Sequence, residues 1–293
     1  MRILVTGARG LLGSEVVRAA AARGHDTVPL GHDDLDVTDA ERVLAAVTAE
    51  SPDRIVHCAA YTAVDGAEAE PDVASRVNRD GTRNVARAAA ASASGMVYVS
   101  TDFVFDGLEH APYLPDHPVA PLSVYGRTKR DGEEAVLEVA AQGAHGAFRP
   151  LIVRTGWLYG AEGRNFVDAM VERAARGEAL RVVDDQTGGP TWARNVADIL
   201  VELMEREVDG IWHVADRGEA TWLELARTAV RLSGLEANVG GVSTAEWGAP
   251  APRPPYSVLD VTRTERLLGR RMEPWPEALA RFLGTEGEER RER

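Results

Sequence analysis

Five short apolar runs, rich in β-branched residues, are spaced through the first half of the chain: Ile3–Val5, Thr27–Leu30, Ile55–Cys58, Met96–Val99 and Leu151–Val153. Alanine-rich amphipathic stretches separate them. Continuous apolar runs belong to strands buried on both faces, and their regular alternation with helical periodicity is the signature of βαβ units and a parallel sheet. The pattern predicts an α/β fold with a Rossmann-like doubly wound parallel sheet over residues 1–155. After Val153 the regularity loosens. Gly188-Gly189-Pro190, Gly240-Gly241 and the proline-rich Pro250–Pro255 interrupt shorter helical segments, which predicts a smaller C-terminal substrate-binding lobe over 156–293. Residues 195–215 are expected to return to the main sheet through a strand around Ile211–Val214. The last ten residues have no apolar anchor and predict an unstructured tail from about 284.

Composition narrows what such a fold can serve. At 293 residues and 44% hydrophobic, the chain is long enough for one large α/β unit carrying a smaller lobe. A net charge of −13 and a pI near 5.1 argue against a nucleic-acid partner, because binders of phosphate backbones present a basic face. No apolar run is long enough to span a bilayer, and Met1 leads directly into a buried strand, so a cytoplasmic protein with no membrane partner is expected. One cysteine, Cys58, excludes an internal disulfide; at the end of an apolar run it suits a small buried hydrophobe better than a nucleophile. The seven histidines form no metal-ligand spacing, and no metal is expected.

Two features carry chemistry. The first strand runs into Gly7-x-x-Gly10-x-x-Gly13 and then a helix beginning near Leu11. Glycines here let backbone approach a pyrophosphate, and the helix N-terminus offers free amides and a positive dipole end. The turn thus predicts a dinucleotide held by Gly7, Arg9, Gly10, Leu11, Leu12 and Gly13, although such a turn can also simply close a tight connection. The second feature is the sole lysine, Lys129, in a chain with 32 arginines. It lies four residues after Tyr125, so on a helix the two share one face, where an ammonium can lower a phenol's pKa and prepare it for proton transfer.

Together, the glycine turn and Tyr125-x-x-x-Lys129 resemble the extended short-chain dehydrogenase/reductase family. Further segments are similar to its dTDP-4-dehydrorhamnose reductase branch: Ala59–Asp65, Asn78–Thr82, Ser100–Gly107, Arg154–Gly160, Asp185–Thr191 and Arg253–Asp260. The resemblance covers nearly the whole chain. It implies a reductase of a dTDP-linked 4-keto-6-deoxyhexose, with Tyr125 giving a proton to the C4 oxygen as a nicotinamide delivers hydride, Lys129 gripping the nicotinamide ribose and Thr101 hydrogen-bonding the ketone. It also implies cofactor contacts from Asp36, Val37, Ala59, Ala60, Thr62 and Ser100, and substrate contacts from Val64, Asp102, Phe103, Trp157, Asn165, Phe166 and Arg253, the arginine toward the diphosphate. A homodimer is the assembly common among such enzymes.

Several positions keep two readings. Asp102 serves either substrate positioning or a local turn, and Trp157 either the sugar or packing. The remaining tryptophans, Trp222 among them, are expected as core or interface filler. Phe103 stands where related dehydratases carry glutamate, which excludes water elimination, and where the reductases often carry tyrosine, which leaves the hexose open. The second strand runs out through Leu30-Gly31-His32 before Asp33 and Asp34, so no acid sits where NADH preference is normally set; Arg9 could meet a 2′-phosphate, and NADPH with some use of NADH is expected. The rivals are a reductase of another nucleotide-linked 4-keto sugar and a non-catalytic dinucleotide-binding subunit.

Overall fold

The computed structural model describes residues 1–142 and 148–292. Five strands come from the predicted apolar runs: β1 (Arg2–Thr6), β2 (Asp26–Leu30), β3 (Arg54–His57), β4 (Gly95–Thr101) and β5 (Leu151–Thr155). The strand Gly210–His213 joins them in a six-stranded sheet ordered Gly210–His213, β5, β4, β3, β1, β2. Every pairing in it is parallel. The architecture is the Rossmann-like doubly wound sheet read from the pattern.

Side-chain alternation explains why these strands are apolar throughout. Ile3, Val5, Val56, Val97, Leu151 and Val153 pack to one face, against the first helix (Leu11–Ala22) and the helix Ala193–Glu205. Leu4, Ile55, Met96, Tyr98 and Ile152 pack to the other, beneath the helices Ala40–Glu50, Thr82–Ala91 and Val124–Gln142. With period-two geometry and helices on both faces, neither set can be polar.

The second lobe has its own cores. The helices Phe166–Ala175, Trp222–Leu232 and Trp275–Glu292 gather around Val167, Trp192, Leu225, Leu279 and Phe282, and around Met170, Leu180, Leu223 and Val230. Short strand pairs tie it together, among them Leu180–Val183 with Val239–Val242. One expectation is corrected here. The Glu- and Arg-rich end does not leave the fold as an unstructured tail at about 284 but continues the last helix to Glu292; glutamate and arginine are good helix formers, and a helix already begun needs only propagation. Among the described residues no helix is long and apolar enough to cross a membrane.

Candidate active site

The strands' C-terminal ends and the second lobe face each other across a cleft of about 820 Å³. Open doubly wound sheets place ligands at this edge. Every residue that the sequence nominated for cofactor, substrate or catalysis lines this one cleft, from Gly7 to Arg253.

At its floor, Gly7 has φ +66°, and a Cβ there would stand 2.7 Å from the Ala59 nitrogen. A Cβ on Gly13 would lie 2.2 Å from the Gly7 carbonyl oxygen. The turn is therefore a cradle that any side chain would fill. Gly10 caps the first helix with no side-chain hydrogen bond, and no acid occupies the first turn. The unpaired amides and positive dipole end are left for an anion, which fits the pyrophosphate of a dinucleotide. Beside the turn, Arg9 reaches Asp33 at 3.2 Å and Asp34 at 3.0 Å on the exposed rim. Asp36 is already engaged: the Thr38 amide and hydroxyl donate to it at 2.9 and 2.8 Å, holding its carboxyl below the usual range. Val37 gives its carbonyl to Asn84 at 3.1 Å.

Thr101 ends β4, and Tyr125 and Lys129 lie on one face of the Val124–Gln142 helix. The Thr101 hydroxyl lies close enough to the Tyr125 phenol to draw its pKa down, while its own proton goes to Asp102. Here a sequence expectation changes. The phenol is not lowered by the ammonium. Burial pushes it up to about 12, with Thr101 drawing it down and the Asp102 charge pushing it further up. The Lys129 ammonium instead donates to the Val99 carbonyl at 2.7 Å and lies 4.3 Å from the centre of the Tyr98 ring. Burial pushes Lys129 down to about 7. Tyr125 is thus a protonated phenol across neutral pH, suited to giving a proton.

Asp102 is 2% exposed and accepts from the Ser257 hydroxyl at 2.6 Å and from Thr101 at 3.1 Å. Burial pushes its carboxyl up to about 6. It thus does more than close a local turn, since it pins β4 to the Arg253–Asp260 segment. Phe103 meets the Tyr125 ring edge-on, centroids 5.6 Å apart. Cys58 also lines the cleft, but burial pushes its thiol up to about 12, too high for a nucleophile.

The opposite wall is aromatic. Trp157, in the left-handed region at φ +50°, stacks flat on Trp222 with centroids 3.5 Å apart and planes 5° off parallel. Phe166 abuts Trp222 at 4.7 Å. Trp222, expected as filler, is a wall of the cleft, its indole N–H anchored on Gln186 at 3.2 Å. Nothing local in the sequence set it apart from the other tryptophans. Arg164 was missed for the same reason; it lines the cleft just before Asn165, which caps the helix Phe166–Ala175 by accepting from the Asp168 amide at 3.0 Å. Arg253 makes a two-pronged pair with Asp65, 2.9 Å on each side, across 188 positions of chain. That fixes its fork at the cleft; a third N–H donates to the Ala251 carbonyl at 3.0 Å, which leaves its Nε–H and one further N–H for a ligand.

Comparison with known proteins adds three findings. The family model described as the RmlD substrate binding domain matches residues 1–287. The chain is 46% identical to "Probable dTDP-4,6-dihydroxy-2-methyloxan-3-one 4-ketoreductase" of Streptomyces antibioticus, over 88% of this chain and 86% of that one. It is 44% identical to dTDP-4-dehydrorhamnose reductase of Streptomyces griseus, over 89% and 86%. Its structure superposes on dTDP-4-dehydrorhamnose reductase of Bacillus anthracis in complex with NADP with a TM-score of 0.91 at 37% identity, covering 97% of this chain and 99% of that one.

Proposed function

Because this chain belongs to the RmlD substrate binding domain family, we propose that it is an NADPH-dependent reductase of the C4 ketone of a dTDP-linked 4-keto-6-deoxyhexose, with dTDP-4-dehydro-L-rhamnose as substrate and dTDP-L-rhamnose as product. The observation that carries this is the meeting of Thr101, Tyr125 and Lys129 beside the glycine cradle, in one cleft. The bound nicotinamide supplies hydride to the carbonyl carbon. The protein's part is to manage the oxygen. Negative charge builds there as the carbon–oxygen double bond opens; Tyr125 offers its phenol proton at that point, and Thr101 adds a second donor by turning its hydroxyl from Asp102 to the oxygen. Tyr125, fully protonated at neutral pH, completes the reaction by giving its proton to the alkoxide, so hydride and proton together make the secondary alcohol. Lys129, held on Val99, presents its remaining donors toward the ribose side of the cleft.

NADPH preference rests on Arg9. A 2′-phosphate would draw the guanidinium from Asp33 and Asp34, whereas the two acids could accept a 2′-hydroxyl, so NADH serves as a weaker cofactor. In the second lobe, Trp157 and Trp222 offer a flat apolar face to the sugar or base, and Arg253 with Arg164 offers charge to the diphosphate. A second reading, another dTDP-linked 4-keto sugar, is favoured by Phe103, which brings an apolar edge to the phenol where a hydroxyl would read a sugar substituent.

The test follows nicotinamide absorbance with freshly generated dTDP-4-dehydro-L-rhamnose, with Tyr125→Phe as control. Turnover that falls about 10²- to 10⁴-fold in the variant, with NADPH binding unchanged, is the expected result. Full activity in Tyr125→Phe would remove the proposed proton donor. Turnover only with a different 4-keto sugar would select the second reading.

A further inference from the structure

Beneath the site lies a buried charged cluster that the reaction does not use directly. Glu133 is 4% exposed and Arg154 2%. Arg154 donates to both oxygens of Glu133, at 2.8 and 2.7 Å, and the Ser100 hydroxyl donates to the same carboxylate at 2.5 Å. Ser100 and Arg154 are direct partners across β4 and β5, so two adjacent strands grip one side chain of the Val124–Gln142 helix.

The contacts close a ring. Glu133 is one helical turn after Lys129; it holds Ser100; Ser100 follows Val99; and the Val99 carbonyl holds the Lys129 ammonium. We propose that Glu133, gripped by Arg154 and Ser100, is a positioning residue for Lys129: it locks the turn that aims the ammonium and supplies the negative charge that cancels Arg154 beneath it. This rests on the reading of Lys129 as the cation facing the cofactor's ribose.

Stability alone is a poor reason for the pair, because a buried ion pair costs desolvation that well-packed apolar residues of similar size avoid. The surroundings give the better reason. From β3 and the residue after it, His57 and Cys58 face the ammonium, the first neutral because burial and Lys129 push it down to about 3, the second a neutral thiol. From β4, Tyr98 lies beneath it, its phenol pushed well up by burial and donating to the Lys129 carbonyl at 3.1 Å. On its own helix, Tyr125 is neutral and Glu133 favours the ammonium against burial. Asp102 acts on the phenol. Glu133 is the carboxylate that favours the ammonium against burial, and Arg154, bound to that same carboxylate, is the cation that offsets it, so removing one or the other should move Lys129 in opposite directions.

That opposition gives a test that a merely structural role cannot mimic. Lys129 is the sole lysine, so full-length protein labelled with ¹⁵N-lysine gives one side-chain resonance whose titration is Lys129's own. Glu133→Gln should move its midpoint down by about one unit, and Arg154→Met should move it up by a similar amount. The Glu133→Gln variant should also lose turnover at pH 8 and regain it toward pH 6. A lost packing contact would not give shifts of opposite sign. Where one variant does not fold, the sign of the other decides. Midpoints that stay put, or that move the same way, overturn the proposal. The titration needs no substrate, so an absence of wild-type turnover would count against the reductase reading alone.

Discussion

Along the sheet side of the cleft the ligand would meet backbone: Gly7, Gly13, the amides that open the first helix and the Ala59 segment against which Gly7 is pressed. Across from it, on the lobe side, it would meet side chains: the Trp157–Trp222 stack, Phe166 and the guanidinium of Arg253 tied to Asp65. A backbone wall recognises what all dinucleotides share and has no room to vary. A side-chain wall can be rebuilt one residue at a time. On the proposed function, generic cofactor binding would fall to one side and sugar discrimination to the other.

Breaking the backbone wall should cost most. Gly13→Ala drives a methyl onto the Gly7 carbonyl, where neither partner can rotate away, and NADPH affinity should fall about 100-fold, or roughly 2.7 kcal/mol, by fluorescence titration. Near-normal binding would mean the turn yields and the wall is not rigid. On the opposite wall, Trp222→Ala should raise KM for the sugar nucleotide about tenfold while leaving the NADPH Kd unchanged, with Trp222→Phe recovering most of the loss. A change in NADPH binding instead would erase the division between the walls. The smallest effect is expected at the rim, where Arg9 is exposed and its ion pairs are screened. Arg9→Ala should lower the preference for NADPH over NADH about fivefold, measured as the ratio of their Michaelis constants. An unchanged ratio would remove Arg9 from cofactor choice.

The backbone wall and the Tyr125–Lys129 pair were legible in the sequence because each is local. Glycines three residues apart after a strand, and a tyrosine four before a lysine, fix their own geometry through strand, turn and helix. The side-chain wall was much less legible. Trp157 came only through resemblance, and its partner Trp222 looked like any other tryptophan, since the stack forms between elements far apart in the chain. The same holds for Ser257 on Asp102 and Arg253 on Asp65, contacts 155 and 188 positions long. The phenol's environment was misjudged for another reason. Spacing put the ammonium near Tyr125, but it could not show that Val99 and Tyr98 claim it or that burial outweighs it.

The strand Gly210–His213, paired in register with Leu151–Arg154, has a consequence for anyone recombining such proteins. It makes β5 an interior strand, so the chain crosses between the halves after Thr155, returns, and crosses again beyond His213. A chimera joined at a single point near residue 156 would carry a β5 whose neighbour came from the other parent or, in a truncation, an open edge ready to pair with another molecule. Exchanging substrate preference between relatives therefore calls for grafts bounded at several crossings, with the strand and the Ala193–Glu205 helix left in their original parent.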